Sequence, residues 1–143
     1  TAELLSLLLN CLHSLANTSM DERVVKAVFE LRCACIAGYM PELSGCWQCG
    51  NSMPEMFDLS GAHPVCVRCK TLDTGGIRLP VTPGVLAAMR YICNCDGKKI
   101  FAFELGDESR KLLSDVAEGY LSTQLERGFS CLDFYKTLCL SLD

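Results

Sequence analysis

A chain of 143 residues, half of them hydrophobic, suits one domain that buries about two-thirds of the surface its unfolded form exposes. Thirteen Lys and Arg against 17 Asp and Glu give a formal net charge of −4. That balance argues against tight nucleic-acid binding by this chain alone, since such affinity comes chiefly from cations neutralising phosphates. No run approaches the ~20 apolar residues of a membrane span.

The leucine-rich start (Leu4, Leu5, Leu7, Leu8, Leu9, Leu12, Leu15) lacks a basic leader and carries Glu3, Asn10 and His13. It therefore reads as a buried helix over residues 3–16 and not as a signal-peptide core. Ser19-Met20-Asp21-Glu22 has the form of a capping box, with Ser19 as cap. The helix it opens carries Val24, Val25, Val28, Phe29, Leu31, Cys35 and Ile36 at steps of three and four, and Gly38 and Pro41 end it. Glu30 and Arg32 within it read as solvated positions, with anchoring at a domain junction as the alternative. Residues 43–72 form an insertion punctuated by Pro54, Gly61 and Pro64, in which residues 56–59 suit a short strand.

Thr82-Pro83 predicts an N-cap followed by Pro at the first helical position, and Val85, Leu86, Met89, Ile92 and Cys93 share one side of that helix. Residues 99–105 are ambiguous, with Phe101, Phe103 and Leu105 alternating as in a strand. A helix is predicted over 108–127, after Asp107 as cap and before Gly128 as stop. A last helix carries Cys131, Phe134, Tyr135, Leu138, Cys139 and Leu142. The expected fold is mainly α, a helical bundle in one domain over 1–143 with an inserted four-cysteine, zinc-ribbon-like knuckle at about 43–72.

The insertion holds the most specific motif. Cys46 and Cys49, then Cys66 and Cys69, form two C-x-x-C pairs with sixteen residues between them. This spacing is that of a four-thiolate zinc site. Four thiolates leave no open coordination position, so one Zn²⁺ there is structural and does not activate water. Arg68 and Lys70 are placed to offset the anionic centre. His63 is an alternative ligand in place of one thiolate, and Trp47 is expected to pack beside the site. Eleven cysteines are an odd number, and with four of them on zinc they fit a reducing cytoplasm better than a disulfide framework. Cys33 and Cys35 read as core residues, while Cys93 and Cys95 are a candidate second partial site.

Catalysis has little to stand on. A zinc deaminase needs an H-x-E element and a Pro directly before its Cys pair. Neither His13 nor His63 has Glu two places on, and Val65 separates Pro64 from Cys66. Neither a G-x-S-x-G elbow nor a phosphate-binding glycine loop occurs, so the chain is expected not to be an enzyme.

Phe29-Glu30-Leu31-Arg32, then Gly38-Tyr39-Met40-Pro41-Glu42-Leu43, then Cys46-x-x-Cys49-Gly50, closely resemble in that order the C-terminal domain of the bacterial DNA repair protein RecO family. Val65-Cys66-x-x-Cys69 resembles the family's second knuckle, and Tyr120-Leu121, Arg127 and Ser130-x-Leu132-x-Phe134 its ending. The resemblance implies a recombination mediator that binds single-stranded-DNA-binding protein and RecR in RecA loading and strand annealing, in the cytoplasm at the nucleoid. It also implies that DNA binding rests mainly on an N-terminal OB-fold, of which this chain shows no five-stranded pattern. Docking an acidic, hydrophobic partner tail needs an apolar groove with a basic rim, for which Arg78, Arg90, Lys98, Lys99, Arg110 and Lys111 are candidates. An autonomous zinc-dependent nucleic-acid-binding module is the alternative, motivated by Arg68 and Lys70 beside the knuckles.

Overall fold

The computed structural model describes residues 1–69 and 76–127. Lys70 and the helix expected after Gly128 lie outside the described residues. In order, the chain forms α1 (Ala2–Asn17), α2 (Glu22–Ile36), three short strands β1 (Met56–Asp58), β2 (His63–Val65) and β3 (Arg78–Pro80), then α3 (Pro83–Asn94), a single 3₁₀ turn (Gly97–Lys99) and α4 (Asp107–Arg127). The mainly α architecture with an inserted knuckle is the one expected. Among the described residues no helix is long and apolar enough to cross a membrane.

The second helix is the hub. It packs against α1, α3 and α4, and Val25, Ala27, Val28, Leu31 and Ala34 are all but inaccessible to solvent. Its start differs from the capping box read in the sequence. Asp21, not Ser19, is the cap, and its Oδ1 accepts from the Arg23 backbone N–H at 2.8 Å. Both side chains are competent caps; Asp21 alone is also held by guanidinium groups, Arg23 at 2.9 Å and Arg110 at 3.8 Å. The Arg23 hydrogen bonds keep its carboxyl below the usual range. The helix ends as expected, with Gly38 at φ +95° and the Tyr39 N–H reaching back to the Ala34 carbonyl at 2.8 Å.

Two expectations about helix faces fail for one reason, the number of neighbours each helix has. Buried on α1 are Leu4, Leu7, Cys11 and Ser14, a single stripe facing α2. Leu5, Leu8, Leu9, Leu12 and Leu15 remain 41–58% exposed, so α1 is an outer helix and not a buried one. On α2, flanked on several sides, the positions read as solvated are instead engaged. Glu30 is only 8% exposed and bonds Lys26 at 3.1 Å, while Arg32 donates to the Ile92 carbonyl on α3 at 2.9 Å. Arg32 therefore ties α2 to α3.

Burial raises the Glu30 carboxyl above its ordinary value, opposed by the Lys26 ammonium. A raised carboxylate means that the native state holds the proton more tightly than the unfolded chain, so this contribution to stability fades as pH rises through the native value. Glu30→Gln removes the buried charge and keeps an acceptor for Lys26. We expect its melting temperature to match or exceed that of the native protein at pH 7, with the advantage shrinking toward pH 4. A variant less stable at pH 7 than at pH 4, relative to the native chain, would show that the ion pair outweighs its desolvation.

Beyond the insertion, Thr82 caps α3 as expected, accepting from the Val85 N–H at 3.2 Å with Pro83 at the first helical position. The ambiguous stretch is not a strand: Lys99 ends the 3₁₀ turn, Ile100 and Phe101 turn, with the Ala102 N–H on the Lys99 carbonyl at 3.0 Å, and residues 102–105 are irregular. Phe101, Phe103 and Leu105 are half-buried against the core while Ala102, Glu104 and Gly106 face solvent, which explains the alternation. The last described helix starts at Asp107 itself and buries Leu113, Val116, Ala117 and Tyr120.

Candidate metal centre

The insertion is built on an antiparallel sheet with strand order β2-β1-β3. Met56, Phe57 and Asp58 face Val65, Pro64 and His63 on one side, and Pro80, Leu79 and Arg78 on the other. The β1–β2 turn is fixed by Asp58, 1% exposed, whose Oδ1 accepts from the N–H groups of Ser60 and Gly61 at 3.0 Å each. Phe57 and Leu59 leave the sheet for the main helical core. Phe57 meets Tyr120 edge-on at 5.9 Å, and Gln124 of α4 donates to the Leu59 carbonyl at 3.4 Å.

The first knuckle turns at Gly50, φ +76°, a left-handed conformation glycine adopts without a Cβ penalty. There the Gly50 N–H bonds the Cys46 carbonyl and the Cys46 N–H bonds the Asn51 carbonyl, both at 2.8 Å. The second closes with the Cys69 N–H on the Cys66 carbonyl at 3.0 Å. The Glu55 carboxylate clamps it by accepting from the Val67 N–H at 3.0 Å.

These turns bring the Sγ atoms of Cys46, Cys49, Cys66 and Cys69 within 4.8 Å of one another. The Cys49 and Cys66 sulfurs are 3.7 Å apart. With metal–sulfur bonds of about 2.3 Å, a regular tetrahedron has sulfur–sulfur edges of about 3.8 Å. The donor set therefore fits a four-coordinate metal ion, with no protein ligand left to add and no position open to water. Polar hydrogens point at the sulfurs: the Cys66 N–H lies 3.4 Å from Cys46 Sγ, and the Asn51 amide 3.2 Å from Cys66 Sγ. Burial raises the Cys46 thiol, but backbone N–H groups of Cys49, Cys66 and Gln48 outweigh it and bring Cys46 down to about 6. Burial and the neighbouring thiols push Cys69 up to about 12. The Cys46 thiolate forms readily here and Cys69 needs a cation beside it, as expected for a site that trades protons for metal.

The four-sulfur cluster does not include His63. Its ring instead stacks on Trp47, with centroids 4.9 Å apart, and Trp47 stays half-exposed. Arg68 is exposed on the second knuckle. Asn51 and Glu55, which orient the knuckles, escaped the sequence reading; the C-x-x-C-G-N order was the available signal. Cys93 and Cys95 are not part of any cluster of three metal-ligating side chains among the described residues.

The six candidate rim cations fall on β3, α3, the 3₁₀ turn and α4. Arg78 faces Asp58 across the sheet, 4.0 Å from its Oδ2. Arg90 donates to the Leu43 carbonyl at 2.7 Å and so fastens α3 to the start of the insertion. Lys98 and Lys99 are exposed in the 3₁₀ turn, and Lys111 is exposed on α4. Arg110 bonds the Leu105 carbonyl at 2.9 Å and Asp107 at 3.0 Å. Lys98 and Arg110 are brought together on one open groove, described below.

Comparison with known proteins bears on the whole of this arrangement. Residues 1–132 match the family described as Recombination protein O C terminal. The DNA repair protein RecO of Acetivibrio thermocellus is 30% identical over 139 residues, covering 96% of this chain and 55% of that protein. Its counterpart from Caldicellulosiruptor saccharolyticus is 27% identical over 136 residues, 94% of this chain and 54% of the relative. That from Rubrobacter xylanophilus is 31% identical over 90 residues, 61% and 36% of the two chains. The chain thus spans about half the length of curated relatives it matches. With nearly its full extent matched in the order that sets the knuckles between the second and third helices, the chain belongs to the RecO C-terminal family.

Proposed function

We propose that this chain serves DNA repair and recombination as a non-catalytic docking module, in which one Zn²⁺ on Cys46, Cys49, Cys66 and Cys69 shapes the insertion and the helices carry the partner surface. The partners proposed are the acidic tail of single-stranded-DNA-binding protein and RecR, in RecA loading and strand annealing at the cytoplasmic nucleoid. Family membership supports the process. The observation that supports the docking role is a groove of about 910 Å³ between the end of α1, the start of α2 and residues 97–105.

Met20, Phe101, Phe103 and Leu105 supply apolar wall in this groove, and Lys98 and Arg110 supply positive charge at its edge. An extended acidic peptide bearing bulky apolar side chains matches that chemistry. Asp21 and Glu104 also line the groove, so the apolar wall carries the larger share of the binding free energy. A labelled peptide of the partner's tail, titrated into metal-loaded protein, should bind saturably and more weakly as salt rises. Lys98→Glu should weaken it roughly fivefold, the scale of one exposed charge worth about 1 kcal/mol. Absence of peptide binding by the metal-loaded protein removes the reading. Binding of oligothymidine instead would favour the knuckles as a nucleic-acid site.

A further inference from the structure

We propose that the outer face of α1 docks a second copy of this chain, helix against antiparallel helix about a twofold axis. One apolar stripe of α1, with Leu4, Leu7 and Cys11, packs on α2. A second stripe, Leu5, Leu8, Leu12 and Leu15 with Leu9 beside it, is 41–58% exposed. Its steps of three, four and three are those of the a and d positions of a heptad, the seam along which two helices pack. Five leucines about half open form an apolar patch of roughly a few hundred Å², the size at which a surface marks an interaction site. No charge interrupts it, because Glu3 is the one Asp, Glu, Lys or Arg on α1 and falls outside the stripe.

Symmetry, area and charge all favour a second copy as the occupant. A twofold interface needs a surface that is its own complement. Turned about the level of residue 10, the stripe maps Leu5 onto Leu15 and Leu8 onto Leu12, so each seam leucine meets a leucine. The antiparallel arrangement also sets the positive end of one helix beside the negative end of the other. Leu8, Leu12 and Leu15 wall a groove of about 400 Å³ with Val25 and Phe29 of α2, a hole for an incoming leucine. The charged residues on that groove, Glu22, Arg23 and Lys26, are mixed in sign. Asp21 holds Arg23 at 2.9 Å, and Glu30 holds Lys26 at 3.1 Å. A charged partner therefore gains little here, whereas an uncharged leucine stripe gains the whole face. Two such faces with their flanks bury on the order of 1,000 Å² in total, enough for a specific but weak dimer. Asn10 and His13 line the separate groove proposed for the partner peptide and lie off the seam, so each copy keeps that groove open.

The test is sedimentation equilibrium of the zinc-loaded chain under reducing conditions. Its mass should climb from that of one chain toward that of two as concentration rises through the micromolar range. Leu12→Glu should weaken association about tenfold or more, because a carboxylate from each copy loses water in the closed seam. Leu12 is 52% exposed in the single chain, so helical circular dichroism should not change. Ser6→Glu, on the side of α1 away from the seam, should associate like the native chain. A photoreactive benzophenone side chain placed at Leu9 should cross-link to α1 of a second copy, which tests the register without a charge. A native chain that stays single up to about 0.1 mM, far above the range of weak specific interfaces, overturns the proposal. So does a dimer that Leu12→Glu leaves intact, or a cross-link confined to one chain.

Discussion

Removing the metal is expected to release residues 45–53 and 63–69 from protection against hydrogen exchange while most of the helical circular dichroism survives. Structural zinc is worth on the order of 10–16 kcal/mol in small peptides, as much as the roughly 5–15 kcal/mol that holds a whole domain together. The knuckles have little else. Cys46, Val65 and Cys66 form a small cluster of their own, separate from the main core of the helices. The boundary of the released region falls inside the insertion, because Phe57 and Leu59 belong to the helical core and β1 is also held by β3. Exchange at residues 56–59 should therefore change little. Collapse of the helical signal on chelation would show that the metal sustains the bundle, and unchanged exchange at the knuckles would show that it sustains nothing.

Phe57→Ala is expected to have the converse effect, costing the bundle about 3–5 kcal/mol, the range for truncating a fully buried Phe. Phe57 has no exposed surface and is the side chain by which the metal arm enters the core, edge-on to Tyr120. The cysteines of the knuckles pack in a separate cluster, so the variant should still bind one metal ion per chain. Urea denaturation with metal analysis of the same sample measures both. A loss below about 1 kcal/mol would mean that the core closes over the gap, which partial relaxation rarely achieves.

These two results concern parts of the molecule that differed in how plainly the sequence announced them. The four cysteines were legible because thiolate coordination dictates their spacing, and Gly38, Thr82 and Pro83 because a cap or a stop is decided by a few adjacent residues. β3 was not. Arg78-Leu79-Pro80 has no strand signature, and it becomes one only because β1 offers a free edge. The choice of Asp21 over Ser19 depends in part on Arg110, which arrives from far along the chain. Glu30 and Arg32 looked solvated because a helix wheel does not reveal how many neighbours will surround it. Rim cations were hardest. Arg90 and Arg110 are taken up as donors to the Leu43 and Leu105 carbonyls, a use no charge pattern discloses.

The strand order has a consequence for how this molecule behaves in company. With β1 in the middle, β2 and β3 are the margins of the sheet, and a bare margin is an invitation for another chain to add a strand. Here each margin carries a proline, Pro64 and Pro80. On the β2 side the Pro64 carbonyl already accepts from the Trp47 N–H at 3.2 Å, and that of Ala62 from Glu42 at 2.9 Å. A strand residue's N–H and C=O point the same way, so the donor Pro64 lacks is the one an incoming chain would have needed. Among the described residues the sheet ends at three strands, and concentrated protein should not polymerise through it.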